Sequence, residues 1–419
     1  MDLSNVNVAV IGAGPAGSAC AKKLSRMGIS VDLYEKDKLG GLCLNYGCKY
    51  INALKEVSDS IDKLNEVKNN SNIHKNTDKY TLNDFMTFKT LNKKIDEVHK
   101  EIRLHSLEKL KKEGVNVIFK RFDTEKEMKN ENKNKNKNKK NYDYVVYATG
   151  MDYPNTYNEI TCNKYSDLVN LKELPEKMVV IGGGISASEI SSVFSSLGSE
   201  VFTYVRSNIL KRITDPDVRK YVLNHIINFN ITNDENKTKE LLKDENVYNL
   251  IAFGGTRPFS VNNNLKVRCD SNNVYACGDA VGRSNTPLSV RQGAIVARNI
   301  YNEITGKSLI KLKPLPYMEV IRLKIPLGMI GTQTNDYKEI KTGNVHGAYF
   351  EKYRGFNRVY FENGKVVGGV SMGSPNEVAP YFLQYINGIG DYSKFYNIFP
   401  TSDPFPPLLK EIDRKKQNN

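Results

Sequence analysis

Cysteine is scarce in this chain, with six in 419 residues: Cys20, Cys43, Cys48, Cys162, Cys269 and Cys277. That is too few and too scattered for the disulfide framework of a small secreted domain, so a reducing compartment is expected. No uninterrupted apolar run is long enough to span a bilayer as a helix. The first fold-forming run, Val6 to Ile11, starts so near Met1 that a removable presequence has no room, and the expected location is the cytosol. Histidine is rarer still, with five residues (His74, His99, His105, His225, His346). Acid is in deficit: 61 Lys and Arg against 47 Asp and Glu leave a net charge of +14. Such an excess suits a polyanionic partner. Here, however, much of it sits in the Lys/Asn tract 125–141 and in the tail Arg414-Lys415-Lys416, with no aromatic residues interleaved as a base-stacking platform needs. Neither nucleic acid nor membrane is expected as a partner.

What is present is length and patterned glycine. A chain of this size is too long for one hydrophobic core, and two or three domains are expected. Asn7 to Ile11 is an apolar, β-prone run that ends at Gly12-Ala13-Gly14-Pro15-Ala16-Gly17, after which Ala19 to Leu24 reads as a helix. Gly12 permits the turn, Gly14 lets the backbone approach a pyrophosphate, and Gly17 lets helix and strand pack closely. The helix end then offers free N–H groups and a positive dipole to phosphates. The next strand, Ser30 to Tyr34, ends in Glu35, where an acid accepts hydrogen bonds from a ribose.

The pattern restarts downstream. Lys177 to Ile181 leads into Gly182-Gly183-Gly184-Ile185-Ser186-Ala187, a helix runs through Glu189 to Leu197, and the strand Glu200 to Val205 closes on Arg206, with Lys211 and Arg212 following. Guanidinium groups there would hold a 2′-phosphate that a carboxylate would repel, which favours NADPH over NADH; a solvated basic loop is the competing reading. Between the two motifs, Ile51 to Val67 and Phe85 to Lys112 read as helices and Val115 to Phe119 as a strand. Tyr144 to Tyr147 reads as a buried strand ending at the small-residue turn Ala148-Thr149-Gly150. Asn273 to Cys277 reads as a strand that presents Asp279 beyond its carboxyl end, where ligands of open α/β sheets lie. Two late segments alternate as strands around Asn363-Gly364, a hairpin signal. The fold class is therefore α/β, with two Rossmann-like nucleotide-binding domains and a C-terminal α+β domain. The Lys/Asn tract is assigned neither structure nor function.

Cys43 and Cys48 stand five positions apart among Gly40, Gly41 and Gly47. From spacing alone they are either a redox disulfide or two incidental thiols, because so short a loop gains little stability from closure.

Together these motifs resemble the pyridine nucleotide-disulfide oxidoreductase family, which includes glutathione reductase and dihydrolipoamide dehydrogenase. The resemblance implies that Gly12, Gly14, Pro15, Ala16 and Gly17 with Glu35 bind FAD. It makes Gly40 to Cys48, with Gly41, the active-disulfide motif, Ala148-Thr149-Gly150 a linking turn, and Asp279 a contact to the ribityl chain. Gly182, Gly184, Ser186 and Glu189 then belong to the NAD(P) fingerprint, and Arg206 and Arg212 stand where NADPH-preferring members carry arginines. Domains at 1–155 with 266–308 (FAD), 156–265 (NAD(P)H) and 309–419 (interface) follow, as does a homodimer; no metal is implied. Hydride would pass from NADPH to FAD and on to the Cys43–Cys48 disulfide, with Cys48 nearer the flavin and Cys43 exposed for exchange, as a thiolate.

Three features depart from that pattern. The family's lysine that pairs with the glutamate of the second fingerprint is replaced by Asn52, opposite Glu189, so a different flavin potential and NADPH coupling are expected. The family's His-Pro-Thr segment is matched by Phe399-Pro400-Thr401, and phenylalanine moves no proton. The nucleotide domain after Tyr157 is short. The expected activity is thus an FAD-dependent, NADPH-preferring disulfide-reductase-type enzyme whose acceptor is neither glutathione nor lipoamide. The alternatives are a diaphorase, oxidase or ferredoxin-reductase-like flavoprotein that does not use the cysteines, and a non-catalytic FAD/NADPH sensor.

Overall fold

A computed structural model describes residues 3–70, 79–123, 142–269, 273–282, 285–313, 319–344 and 354–373. The Lys/Asn tract, His74, His346, Phe399-Pro400-Thr401 and the basic tail lie outside them. The chain divides into two compact units. The first is Met1–Ala53, Lys89–Lys172 and Gly254–Pro314; the second is Leu54–Phe88, Glu173–Phe253 and Leu315–Asn419.

The chain starts with β1 (Asn7–Ile11), α1 (Pro15–Arg26), β2 (Ser30–Glu35), α2 (Gly41–Asn45), α3 (Cys48–Asn70), α4 (Phe88–Lys112), β3 (Asn116–Phe119) and β4 (Tyr144–Tyr147), then a small ribbon of β5 (Thr156–Tyr157) and β6 (Ile160–Thr161). The second half of the sequence adds β7 (Lys177–Ile181), α5 (Ile185–Leu197), β8 (Glu200–Tyr204), α6 (Pro216–His225), β9 (Asn230–Thr232), α7 (Glu235–Lys243) and β10 (Val247–Ile251). It returns to the first unit for β11 (Val274–Ala276) and α8 (Thr286–Ile304), and ends with β12 (Glu319–Arg322), β13 (Pro326–Gly331), β14 (Tyr337–Asn344), β15 (Arg354–Glu362) and β16 (Lys365–Met372).

In the first unit the strands lie in the order β11-β4-β1-β2-β3, all parallel. The order reverses at β1, which opens a crevice at the carboxyl ends of β1 and β4. Strands buried on both faces read as continuous apolar runs, as Val8 to Val10 and Val145-Val146 do. Helices α1 and α8 cover one face, and their backbones meet closely: a Cβ on Gly293 would lie 2.1 Å from the carbonyl oxygen of Ala16.

The second unit holds a second parallel sheet, β10-β7-β8-β9, and an antiparallel sheet, β12-β13-β16-β15-β14. One apolar cluster joins them, with Val218, Val222 and Ile226 of the α6 region against Ile321, Leu327, Tyr360 and Val370. The Asn363-Gly364 hairpin forms, with φ of 49° and 72° at its two central residues, the left-handed pair that a two-residue turn between twisted strands requires. At the junction of the sheets Asp215 caps α6, accepting from the N–H groups of Asp217 and Val218. Its Oδ2 also accepts from Arg358 Nη1 and Tyr360 Oη, each at 2.7 Å. The Arg358 guanidinium in turn donates to Glu339.

Candidate cofactor and redox site

The first glycine turn cannot be built from other residues. Gly12 has φ 103°, and a Cβ there would sit 2.4 Å from the carbonyl oxygen of Ala148; one on Gly17 would sit 1.9 Å from the oxygen of Gly12. Ala148 itself donates to Ile11 O, so the Ala148-Thr149-Gly150 turn lies against the glycines. Gly14 caps α1, Pro15 opens it, and no side chain bonds its first N–H groups. The α6, α7 and α8 ends differ, each being capped by a side chain: Asp215, Asp234 and Asn285. Gly40 N–H donates to Ala13 O, and Gly41 stacks on Gly14 so closely that a Cβ would meet its Cα at 3.0 Å. These bare backbones and unsatisfied donors fit the pyrophosphate of a dinucleotide. Glu35 is buried; its Oε2 accepts from Ala13 N–H and its Oε1 from Asp37 N–H, both at 2.9 Å. The acid thus braces the glycine turn, and a carboxylate's further lone pairs still suit a ribose.

The cysteine stretch folds as two helices. Cys43 lies inside α2, Cys48 opens α3, and Gly47 makes the link. A Cβ on Gly47 would lie 2.9 Å from Leu42 O. Asn45 pins α2 from within, donating to Leu39 O and Gly41 O and accepting from Arg103 Nη1. Neither cysteine is in a disulfide. Cys43 is half-buried and faces Thr286 Oγ1 at 3.1 Å, and Cys48 is exposed at the start of α3. A hydrogen bond from the Cys48 thiol, the Thr286 hydroxyl and the Lys49 charge, against burial and the nearby Asp279, bring the Cys43 pKa down to about 6. Asp279 follows β11 in the turn Gly278–Ala280, held where Gly278 N–H donates to Gln292 Oε1. The first unit therefore gathers Gly12, Gly14, Glu35, Gly41, Cys43, Ala148 and Asp279 around the carboxyl ends of β1, β4 and β11. Thr286 joins them, a residue that no motif in the sequence singles out.

The second unit repeats the turn. Gly182 has φ 148°, with an added Cβ 2.7 Å from Ala252 O; Gly184 caps α5 without a side-chain bond, and Ser186 lies in the first turn. Glu189 Oε1 accepts the N–H of Arg322 at 2.8 Å, with the Arg322 guanidinium at 3.7 Å. Burial raises the Glu189 pKa despite that partner. Arg206 is exposed just after β8. Arg212 is not free-standing: its Nη1 donates to both carboxylate oxygens of Glu319 at 2.6 Å. Arg322 and Glu319 both belong to β12, more than a hundred residues from their partners, and no local signal in the sequence points to either. Among the described residues no group of three or more His, Cys, Asp or Glu side chains is disposed to hold a metal, and no helix is long and apolar enough to cross a membrane.

Two dinucleotide-type turns, one of them beside a paired cysteine motif, define a nucleotide-dependent redox protein class. A family profile described as pyridine nucleotide-disulphide oxidoreductase matches residues 6–262, more than half of the chain. The chain belongs to that family. It is 42% identical over 405 residues to an uncharacterized protein of Methanocaldococcus jannaschii, covering 96% of each. It is 28% identical over 343 residues to the dihydrolipoyl dehydrogenase of Buchnera aphidicola, covering 72% of this chain and 70% of that one. With the dihydrolipoyl dehydrogenase of Chlamydia trachomatis the figures are 27% over 333 residues, 70% and 69%. The crystal structure of LpdA from Mycobacterium tuberculosis superposes with a TM-score of 0.71 over 99% of both chains at 13% identity, a likeness of fold.

Proposed function

We propose that the chain is an FAD-dependent oxidoreductase of the disulfide-reductase type, drawing on NADPH in preference to NADH and working through Cys43 and Cys48. Gly12, Gly14, Pro15, Ala16, Gly17 and Gly41 hold the FAD pyrophosphate, Glu35 its ribose, Asp279 its ribityl chain, and Ala148 to Gly150 the adjoining backbone wall. Bound there, FAD supplies a two-electron carrier between a nicotinamide and a disulfide. Gly182, Gly184 and Ser186 receive the nicotinamide dinucleotide, Glu189 orients it, and Arg206 with Arg212 selects the 2′-phosphate. The oxidised Cys43–Cys48 pair gains two electrons and two protons to give two thiols. Its return to the disulfide hands the pair of electrons to a two-electron acceptor other than glutathione or lipoamide. Residues 309–419 assemble a homodimer.

The observation that carries this reading is Cys43 Sγ lying 3.1 Å from Thr286 Oγ1 beside the flavin-type crevice, where the Cys48 thiol, Thr286 and Lys49 favour its thiolate and packing alone has no need of one. The test is anaerobic NADPH titration of the purified protein, followed by absorbance and thiol counting. Two extra thiols on reduction, lost in Cys43→Ser, support the reading. Oxygen or quinone consumption with no change in thiol count replaces it with direct transfer that leaves the cysteines unused. A colourless protein, or no bleaching with NADPH, ends both.

A further inference from the structure

Beside the cysteine stretch, between α2, α4 and the turn Tyr165–Asn170, lies a cavity of about 280 Å³ that the redox reading leaves unused. Its volume is close to the lower limit of small-molecule sites. His99 lines it, is 94% buried, and has no hydrogen-bond partner among the described residues. Its ring nitrogens are not sealed in the core, so a water or a ligand in the cavity can bond them. Burial and the Arg103 charge hold its pKa below the usual histidine range, against Asp96. One turn on, Arg103 spends one donor on Asn45 Oδ1 and one on Asp96 Oδ1, each at 3.0 Å. A guanidinium has five, so three remain.

The wall is positive and partly apolar. Of the lining cations, Arg103 pairs with Asp96 and Lys93 reaches Glu97 at 4.0 Å, which leaves the Lys38 charge as the wall's excess. Tyr46, Tyr50 and Ile95 supply the apolar surface. An excess of cations repels metal ions, and a neutral ligand would leave that excess uncompensated. An inorganic anion would leave the aromatic wall without a partner.

We propose that this cavity binds a small organic carboxylate, its carboxylate on Arg103 and His99 and its body against Tyr46 and Tyr50. The occupant touches the redox loop from behind, because Arg103 also holds Asn45 and because Tyr46 lies between the two cysteines. The site rests on cavity, charge and an unpartnered side chain, and does not depend on the redox reading.

The test is binding to the full-length protein, read by NMR on the His99 ring, whose resonance is assigned by its loss in His99→Gln. Benzoate serves as the probe, with benzyl alcohol and inorganic phosphate as its neutral and inorganic counterparts. Benzoate is expected to shift the His99 signal saturably while the other two leave it in place. Arg103→Met is expected to weaken benzoate by about tenfold, the loss of one charge-assisted hydrogen bond. No shift with benzoate, an equal shift with benzyl alcohol or phosphate, or unchanged affinity in Arg103→Met overturns the proposal. If Arg103→Met does not fold, the three probes on the unaltered protein decide it alone.

Discussion

The Sγ of Cys43 lies 3.1 Å from the Oγ1 of Thr286, although 243 positions separate them in the chain. The hydroxyl ends a helix-capping turn that Asn285 anchors by accepting from Leu288 N–H. A rigid donor is thereby aimed at a sulfur inside the redox motif. A hydrogen bond to the charged form stabilises it, so Thr286 favours the thiolate.

Replacing Thr286 with valine is therefore expected to raise the Cys43 pKa by about one unit. The wild-type alkylation rate with iodoacetamide should be full above about pH 6 and fall as the pH drops through that value. In the variant the same curve moves to higher pH. An unmoved curve assigns the depressed pKa to Cys48 and Lys49 alone.

Gly17→Ala places a methyl group 1.9 Å from the oxygen of Gly12. The cost is expected to be about 1–3 kcal/mol, the scale of overpacking a close contact, read as a lower denaturant midpoint. Flavin content should fall with it. The same change at Gly28, where nothing lies within 4 Å but φ is 81°, should cost only its backbone strain and leave flavin uptake intact.

Glu319 competes for the arginine that the nucleotide is proposed to use. Freeing it with Glu319→Gln is expected to lower the KM for NADPH by about fivefold, since an exposed ion pair holds no more than about 1 kcal/mol. The KM for NADH should not move. Arg206→Ala should narrow the preference between the two cofactors; an unchanged ratio removes Arg206 from the proposed site.

Asp215 joins a helix cap to a buried ion pair. Burial opposes its charge, but the hydrogen bonds from Tyr360 and Arg358 outweigh it and hold its pKa below the usual carboxylate range. A depressed folded pKa gives stability that is complete above the unfolded carboxylate pKa and is lost as the pH falls through the folded one. Asp215→Asn and the unaltered protein should thus differ most near neutrality and converge in acid, as followed by urea midpoints. Asp215→Ala should lose about 1–3 kcal/mol, because it removes the α6 cap and the acceptor of Tyr360 Oη while Arg358 keeps Glu339.

Much of the fold could be read from local pattern. The glycine turns at Gly12 and Gly182, the apolar runs before them and the Asn363-Gly364 hairpin follow from backbone geometry that few residues satisfy, so their sequence signals are specific. The short polar helix α7 and the edge strand β9 carry no such constraint; the apolar pattern there is weak. The division of the chain was equally hidden. The antiparallel sheet shares a unit with the second parallel sheet through one apolar cluster, and Asp62 and Phe88 join it by contacts to Ser196 and Phe194 of α5, all between distant segments.

Family, fold class and the two phosphate-type turns are determined by the sequence itself, because they depend on residues adjacent in the chain whose dihedral angles and missing side chains are intrinsic. What surrounds the functional groups was decided only by tertiary structure. Glu189 meets Arg322, Arg212 meets Glu319, and Cys43 meets Thr286, each across more than a hundred residues. Electrostatic and hydrogen-bonded partners act through a few ångströms of space, and distance along the chain does not specify which groups the fold will bring that close.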